Sequence, residues 1–174
     1  MHSRAPSVEP LGAHHDRDSF SCGIAELDEY IRKRASQDVR RRIARVFVAT
    51  GDTPRGIAGY YSLSAASFRR EELAEEIARR LPRYPVPAAI LGRLAVDRAY
   101  QGRGLGEFLL ADACNRVLEA SRAMGVFALI VDATNEHAAA FYERYGFKRL
   151  PDTPGRLFLP TETLVRARSA AGGS

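Results

Sequence analysis

The sequence predicts an α/β protein of the α+β type, with a mixed central sheet flanked by helices. Short apolar segments with strand character alternate with amphipathic helical patterns along the chain. One of these segments, residues 126–132, is a near-continuous apolar run typical of an interior strand. The length of 174 residues and the apolar content of 45% suit one ordinary domain. We therefore expect a single domain over residues 1–167 and a disordered low-complexity tail over residues 168–174.

The first half of the chain predicts a helix, a hairpin and a second helix. Apolar residues at steps of three and four, from Ile24 to Ile31, give the first helix one buried face. Two short apolar runs follow, and the turn-forming sequence Gly-Asp-Thr-Pro between them favours a hairpin. A polar helix then ends at Pro82. In order, these elements are a helix at 23–42, strands at 46–49 and 57–63, and a helix at 71–81.

The second half alternates strands and helices. Closely spaced prolines lead into a buried strand, and a glycine-rich loop then opens a helix whose residues Leu110 and Val117 share one apolar stripe. Asn135 is placed to cap the last predicted helix and Gly146 to end it. In order, these elements are a strand at 88–96, a helix from about 104 to 124, a strand at 126–132, a helix at 135–145, and strands at 147–150 and 156–159.

Composition narrows the class of protein but leaves its partner open. The net charge of +5 favours an anionic partner, and a CoA nucleotide, a nucleic acid and an acidic protein would all satisfy it. Cys22 and Cys114 are far apart, and no His/Asp/Glu spacing suggests a metal site. No apolar run is long enough for a signal peptide or a membrane span. We therefore expect a soluble cytoplasmic protein without a metal.

The glycine-rich loop at residues 101–106, Gln-Gly-Arg-Gly-Leu-Gly, has the features of a diphosphate site. A helix that begins after such a loop presents unpaired backbone N–H groups and the positive end of its dipole to an anion. Glycines let phosphates approach the backbone, and Arg103 adds positive charge. A plain tight turn would explain the glycines equally well. Their spacing matches neither the Rossmann pattern nor a Walker loop.

Two motifs resemble those of the GNAT N-acetyltransferases. Residues 94–106 resemble the family's central motif, Arg/Gln-x-x-Gly-x-Gly/Ala, with Gln101, Gly104 and Gly106 at its fixed positions. Residues 135–147 resemble its second signature, Asn-x-x-Ala-x-x-Phe-Tyr-x-x-x-Gly-Phe. The resemblance implies a sheet of about six or seven strands, splayed in the middle, and acetyl-CoA as co-substrate. The residues expected to hold acetyl-CoA are Leu94, Ala95, Val96, Gln101, Gly102, Arg103, Gly104, Leu105, Gly106, Asn135 and Tyr142.

The resemblance also implies a proton donor. In the family the strand before the loop pairs with the pantetheine arm, and Tyr142 matches the group that protonates the departing thiolate. Tyr145, one turn later, is the competing candidate. A backbone N–H near Val96 could polarise the thioester carbonyl. No general base stands out, because His137 occupies a position that the family leaves variable. This suits an amine of low pKa, and a free α-amine already titrates near about 7.7–8.0.

A basic cluster between residues 32 and 45 has two interpretations: a solvated helix face or a phosphate-backbone footprint. Residues 20–28, 59–63, 85–87 with 91–97, and 157–159 resemble the GNAT toxins of bacterial toxin–antitoxin pairs. Those toxins acetylate the α-amine of aminoacyl-tRNA, and a small ribbon-helix-helix antitoxin neutralises them. The resemblance therefore implies both partners, and we also expect a homodimer. The expected RNA-contacting residues are Arg32, Lys33, Arg40, Arg41, Arg42, Arg45 and Arg93.

Three other functions are compatible with part of the sequence. A GNAT enzyme acting on a small amine or a protein N-terminus would share the catalytic residues but would not need the basic cluster. A non-catalytic CoA-binding module would keep the loop without a proton donor. A DNA-binding module would explain the charge but leave both motifs unexplained.

Overall fold

A computed structural model describes residues 5–172, and its strands form a mixed sheet flanked by helices, as the sequence predicts. The strands are β1 (Val8–Pro10), β2 (Arg45–Thr50), β3 (Ile57–Phe68), β4 (Val86–Val96), β5 (Ala128–Asp132), β6 (Lys148–Arg149) and β7 (Arg156–Pro160). The α-helices are α1 (Ala25–Glu29), α2 (Ala35–Arg40), α3 (Glu75–Ala78), α4 (Leu105–Ala120), α5 (Glu136–Arg144) and α6 (Thr161–Ala171). A π-helical turn, Tyr30–Arg34, connects α1 to α2.

The seven strands follow the order β1-β2-β3-β4-β5-β7-β6. β4 and β5 run parallel, whereas β2 lies antiparallel to β1 and β3, and β7 lies antiparallel to β5 and β6. The ladder between β4 and β5 covers only Ala88–Leu91, so β4 continues from Gly92 to Val96 without a partner in β5. This early end of the ladder matches the predicted splay in the middle of the sheet.

One compact unit comprises residues 5–64 and 92–113. Its core forms where the helical segment of residues 25–40 packs on β2 and β3. Val46 and Val48 alternate along β2, so both side chains reach the face that the helices cover. The buried residues of this core are Phe20, Cys22, Tyr30, Ile31, Ala35, Val46, Val48, Ile57, Tyr60 and Ala95.

A second compact unit comprises residues 65–91 and 114–172. Ala128 and Ile130 alternate along β5 and contribute to one face of its core. The buried residues of this core are Phe68, Leu73, Val86, Ala88, Ala128, Ile130, Leu150 and Phe158. A single domain over residues 1–167 stays a prediction, and its first four residues lie outside the described range.

The structure differs from the predictions in three places. The helix predicted over 71–81 is broken into a 3₁₀ turn, Arg70–Glu72, and the short α3, because Leu73 is extended and buried. β1 was not predicted, because three residues that include Pro10 carry no strand pattern and depend on pairing with β2. α6 was not predicted either. It continues through Ala171, so the expected disorder is wrong for residues 168–171, and residues 173–174 lie outside the described range.

The described part of the chain, residues 5–172, contains no helix that is both long enough and apolar enough to cross a membrane.

The caps of α5 are as predicted. Asn135 has extended backbone angles, and its side chain accepts a hydrogen bond from the Ala138 N–H at 2.8 Å. At the other end Gly146 has a φ of +94°, which a glycine adopts without strain. The N–H of Phe147 then donates to the carbonyl of Tyr142 at 3.2 Å, which closes the helix end.

Removing the Asn135 cap should destabilise the protein by about 1 kcal/mol. We expect Asn135→Ala to lower the free energy of unfolding by this amount, because the Ala138 N–H loses its side-chain acceptor. Asn135→Ser retains an acceptor and should lose much less. Urea denaturation of both variants measures the difference. Equal stability of Asn135→Ala and wild type would show that the cap contributes nothing measurable.

Candidate active site

The glycine-rich loop depends on glycine for its backbone conformation. Gly102 and Gly104 have φ values of +77° and +79°, in the region that side-chain-bearing residues rarely adopt. A Cβ atom built on either glycine meets no other atom within 4 Å, so the loop borders open space. Both positions therefore require glycine because of φ, and they leave room for a ligand against the backbone.

The N-terminus of α4 follows this loop directly. The first helical hydrogen bond of α4 runs from the Phe108 N–H to the Gly104 carbonyl at 3.1 Å. The N–H groups of Leu105, Gly106 and Glu107 precede that bond and have no acceptor within the helix. With sixteen residues of helix dipole behind them, these N–H groups have the arrangement that favours an anion, and the predicted pyrophosphate contact stays a prediction.

Gly59 on β3 allows α4 to lie against the strands of this unit. A Cβ at Gly59 would lie 2.9 Å from the Ala95 carbonyl oxygen and 2.8 Å from a methyl carbon of Leu109. Both distances are shorter than real contacts, so a larger residue would push strand and helix apart. The glycine thus sets the position of α4 beside β4.

Gln101 supports the loop from within. Its side-chain nitrogen donates to the carbonyls of Val96 and Cys22, each at 2.9 Å. These bonds fasten the loop to the end of β4 and occupy both amide hydrogens. Gln101 therefore positions the loop, and its predicted contact with acetyl-CoA stays a prediction.

Asp97 is a loop-positioning residue that the sequence analysis missed. One carboxylate oxygen accepts from the Ala99 N–H at 2.9 Å and the other from the Ser21 N–H at 3.0 Å. The first bond caps the 3₁₀ turn Arg98–Tyr100 that leads into the loop. The tendency of aspartate to bond its own backbone two residues on could have identified this role.

A cavity of about 300 Å³ opens beside the loop. Arg103, Gly104 and Leu105 contribute one part of its lining. Tyr100 contributes another, and its hydroxyl oxygen accepts from the Asp52 N–H at 2.9 Å. The volume suffices for a small ligand group, and the shared lining places it next to the predicted phosphate position.

Tyr142 is buried on α5 with an available hydroxyl proton. Its ring packs edge-on against Phe141 and Phe147, with centroid distances of 5.3 and 5.5 Å. Within residues 5–172 its hydroxyl has no hydrogen-bond partner. Burial, with a smaller effect from the negative charge of Asp132, raises the pKa of Tyr142 above its ordinary value. The phenol therefore keeps its proton at neutral pH and can donate it to a developing anion.

Tyr145, the competing donor, has a different environment. It forms the C-cap of α5 and is 38% exposed, whereas Tyr142 is 6% exposed. The Tyr145 ring packs against Phe141 at 5.2 Å, and the Arg144 guanidinium lies 5.8 Å from its centroid. Exposure makes Tyr145 the weaker candidate, because a solvated phenol offers no shielded proton.

The predicted acetyl-CoA residues fall into two groups. Residues 94–96 and 101–106 belong to the first unit, and Asn135 and Tyr142 belong to the second. The Asn135 side-chain oxygen is used by its cap bond. His137 is exposed.

The predicted basic cluster is fully exposed. None of its seven cations forms an ion pair within the described range 5–172, although Arg32 donates to the Phe20 carbonyl at 2.5 Å. An exposed and unpaired cluster suits either a solvated surface or a phosphate backbone. The exposed cations are Arg32, Lys33, Arg34, Arg40, Arg41, Arg42 and Arg45.

Arg93, the last predicted RNA-contacting residue, differs from the cluster because it is half-buried. Its guanidinium carbon lies 3.6 Å from the centroid of the Tyr30 ring, which is stacking distance.

One group of side chains has the composition of a metal site. Glu9, His14 and His15 bring potential ligand atoms within 4.8 Å of one another, and His15 is buried. The Gly12 N–H donates to His15 Nδ1 at 2.9 Å, which leaves the ring proton on Nε2. Nε2 then donates to Glu9 at 2.6 Å. This proton, shared with the carboxylate, accounts for the short contact.

Comparison with known proteins identifies the family. The model of the acetyltransferase (GNAT) domain matches residues 42–149. The tRNA-acetylating toxin of Mycobacterium tuberculosis is 40% identical over 144 residues, which are 83% of this chain and 85% of that protein. The probable toxin TacT of Sinorhizobium fredii is 31% identical over 166 residues, or 90% and 92% of the two chains.

A solved structure agrees with these relatives. The structure of AtaT complexed with acetyl-methionyl-tRNAfMet is 34% identical, with a TM-score of 0.88 over 94% of this chain and 99% of that one. Sequence and structure thus match the same group of proteins along nearly the whole chain. This protein belongs to the GNAT family of acetyltransferases.

Proposed function

We propose that this protein transfers the acetyl group of acetyl-CoA to the α-amine of aminoacyl-tRNA and so blocks translation as the toxin of a toxin–antitoxin pair. The observation that carries the proposal is the 40% identity to a tRNA-acetylating toxin over 83% of the chain. The exposed, unpaired cations of the first unit supply the positive surface that an RNA substrate needs.

The acetyl-CoA residues have distinct tasks in this proposal. The free N–H groups at the start of α4 bind the pyrophosphate, and Gly102 and Gly104 let it approach the backbone. The unpaired end of β4, from Leu94 to Val96, bonds the pantetheine arm. A backbone N–H near Val96 polarises the thioester carbonyl.

Transfer then requires a nucleophile and an acid. The neutral α-amine attacks the thioester carbonyl carbon and forms the amide C–N bond while the C–S bond breaks. Tyr142 donates its proton to the departing thiolate, and water takes the proton of the new amide nitrogen. No base from the protein is needed, because the ester next to the α-amine lowers the amine's pKa below that of a free amino acid.

The proposal extends to the partners of this protein. We propose a homodimer that acts in the cytoplasm and is neutralised by a small ribbon-helix-helix antitoxin. The structure of an AtaT variant bound to the C-terminus of the antitoxin AtaR, at 31% identity and a TM-score of 0.81, supports an antitoxin partner.

One assay tests the proposed substrate. Radiolabelled acetyl-CoA is incubated with the protein and bulk aminoacyl-tRNA, with deacylated tRNA and with polyamines. Label should enter only the aminoacyl-tRNA, and mild base should release it as an acetylated amino acid. Label in the polyamines alone would instead identify a small-amine acetyltransferase.

Reversing three charges in the basic cluster should weaken binding to aminoacyl-tRNA in a salt-dependent way. The logarithm of the binding constant falls by about 0.7–0.9 per neutralised phosphate for each unit of log salt concentration. We expect the triple variant Arg40→Glu, Arg41→Glu, Arg42→Glu to flatten this slope by about 2 and to raise KM at low salt. Acetyl-CoA affinity should not change, because the loop lies on another element. Filter binding across a salt series measures the slope.

A charge-matched triple variant serves as the control. Arg122, in the turn after α4, and Arg166 and Arg168, on α6, are exposed and lie outside the predicted footprint. Their reversal to glutamate should leave the salt slope nearly unchanged. Equal slopes for wild type and the Arg40–42 variant would assign the cluster to the solvated surface.

A further inference from the structure

Arg93 is a half-buried cation whose hydrogen-bond donors are unused. Within residues 5–172 it forms no hydrogen bond and no ion pair. Instead, its guanidinium carbon lies over the Tyr30 ring, 3.6 Å from the centroid. Taking a guanidinium partly out of water without a carboxylate is unfavourable, and stacking offsets only part of that cost. Binding an anion would offset the rest of this desolvation cost.

We propose that Arg93 holds a phosphate of the terminal nucleotides of aminoacyl-tRNA, and that Tyr30 positions it to do so. The proposal rests on the proposed function for the identity of the RNA. Contact with the ring occupies one face of the guanidinium, and the N–H groups in its plane have no partner within residues 5–172. These donors match two oxygens of one phosphate, a geometry that a lysine cannot reproduce.

Tyr30 is held rigidly enough to act as this platform. It begins the π-helical turn, and its hydroxyl donates to Asp38 at 2.9 Å. Its ring also stacks on Tyr60 at 6.3 Å with 22° between the planes, and the Tyr60 hydroxyl donates to the Leu27 carbonyl at 2.6 Å. π-helical turns are rare and often accompany functional sites. The Arg93 guanidinium over this ring is therefore held in a fixed position.

A second cation strengthens the site. The Arg34 guanidinium carbon lies 5.9 Å from the same Tyr30 ring, so two positive groups flank one aromatic side chain. The carboxylate of Asp38 accepts the Tyr30 hydroxyl proton and forms an ion pair with neither arginine in the described residues. The charge of Arg34 adds to the positive potential at this ring, which favours an anion there.

The position of Arg93 indicates which phosphate it meets. Arg93 precedes Leu94, where the segment expected to bind the pantetheine arm begins. A group held there lies near the thioester, and the phosphates next to the aminoacyl ester are those of the last nucleotides of the tRNA. A phosphate of CoA has the same chemistry, so the experiment separates the two sources.

The test compares substrates with and without those phosphates. Arg93→Gln should raise KM about 10- to 100-fold for an aminoacylated minihelix ending in CCA, since a hydrogen bond to a charged group is lost. For aminoacyl-adenosine, which carries no phosphate, kcat/KM should stay within about twofold of wild type. KM for acetyl-CoA should not change. Arg93→Lys should restore only part of the wild-type KM for the minihelix. Tyr30→Leu should raise this KM about as much as Arg93→Gln does, and Tyr30→Phe should raise it less.

Each result decides the proposal. If Arg93→Gln lost the same factor in kcat/KM with the minihelix and with aminoacyl-adenosine, Arg93 would be a structural residue. If only the KM for acetyl-CoA rose, the phosphate would belong to CoA. Either result would overturn the inference. Fluorescence titration with the deacylated CCA minihelix gives a readout that needs no acetyl transfer. If wild type acetylates neither substrate, the proposed function fails, yet weaker minihelix binding by Arg93→Gln alone would still support the inference. The inference would be refuted if wild type and Arg93→Gln bound the minihelix with equal affinity, or if wild type did not bind it.

Discussion

Replacing Tyr142 by phenylalanine is expected to lower kcat for acetyl transfer by about 10²–10⁴, with little change in acetyl-CoA affinity. The variant keeps the ring that packs against Phe141 and Phe147 and removes only the hydroxyl, which has no partner within residues 5–172. The thiolate then departs without a proton. Because burial raises the Tyr142 pKa above its ordinary 10.0, phenol ionisation should not reduce kcat of the wild type below about pH 10.

Tyr145→Phe is the matched control, because it removes a hydroxyl three residues away in an exposed environment. Its effect on kcat should be small. Steady-state kinetics at saturating acetyl-CoA, with the melting temperature of each variant, separate a chemical loss from unfolding. The reverse order of effects would place the proton donor at Tyr145, and unchanged kcat in both variants would remove tyrosine from the transfer step.

Placing a carboxylate in the glycine-rich loop should abolish most acetyl-CoA binding. We expect Gly104→Asp to weaken the affinity about 100-fold or more, because it adds a negative charge beside the predicted pyrophosphate and forces a side chain into a φ of +79°. Gly106→Asp adds a similar charge in the first turn of α4. Titration calorimetry measures both affinities.

Two variants separate charge from strain at this loop. Gly104→Ala adds only the backbone strain, since a Cβ there meets no atom within 4 Å. Its affinity for acetyl-CoA should lie between those of wild type and Gly104→Asp. Arg103→Ala removes one exposed charge and should cost little. Unchanged acetyl-CoA affinity in both aspartate variants would exclude this loop as the pyrophosphate site.

The sequence predicted the central elements well because their signals are local. The β4–loop–α4 segment combines an apolar strand, glycines and a helical stripe, and the caps of α5 at Asn135 and Gly146 need only neighbouring backbone groups. The two motifs placed these same residues in the GNAT family. Such local patterns can be recognised without knowledge of the rest of the chain, because the hydrogen bonds of these turns and caps join residues only a few positions apart.

Contacts between distant segments could not be predicted in this way. β1 exists through its pairing with β2, and the Gln101 amide finds Cys22, 79 residues away. His15, for which no sequence pattern indicates burial, is buried beside Glu9. The helix expected over residues 71–81 failed for a related reason, since burial of Leu73 in an extended conformation overrides the helix propensity of the glutamates around it.

By itself the sequence determined the fold class and the family, and it predicted the phosphate loop and the pair of candidate tyrosines, because each signal lies in residues close together in the chain. Only the tertiary structure distinguished the buried Tyr142 from the exposed Tyr145 and made Gln101 a support of the loop. It also separated Arg93 from the exposed cations of the basic cluster by stacking it on Tyr30. The burial and the hydrogen-bond partners of a side chain depend on segments far apart in sequence. Burial and these partners determine whether a group keeps its proton and whether its charge is paired.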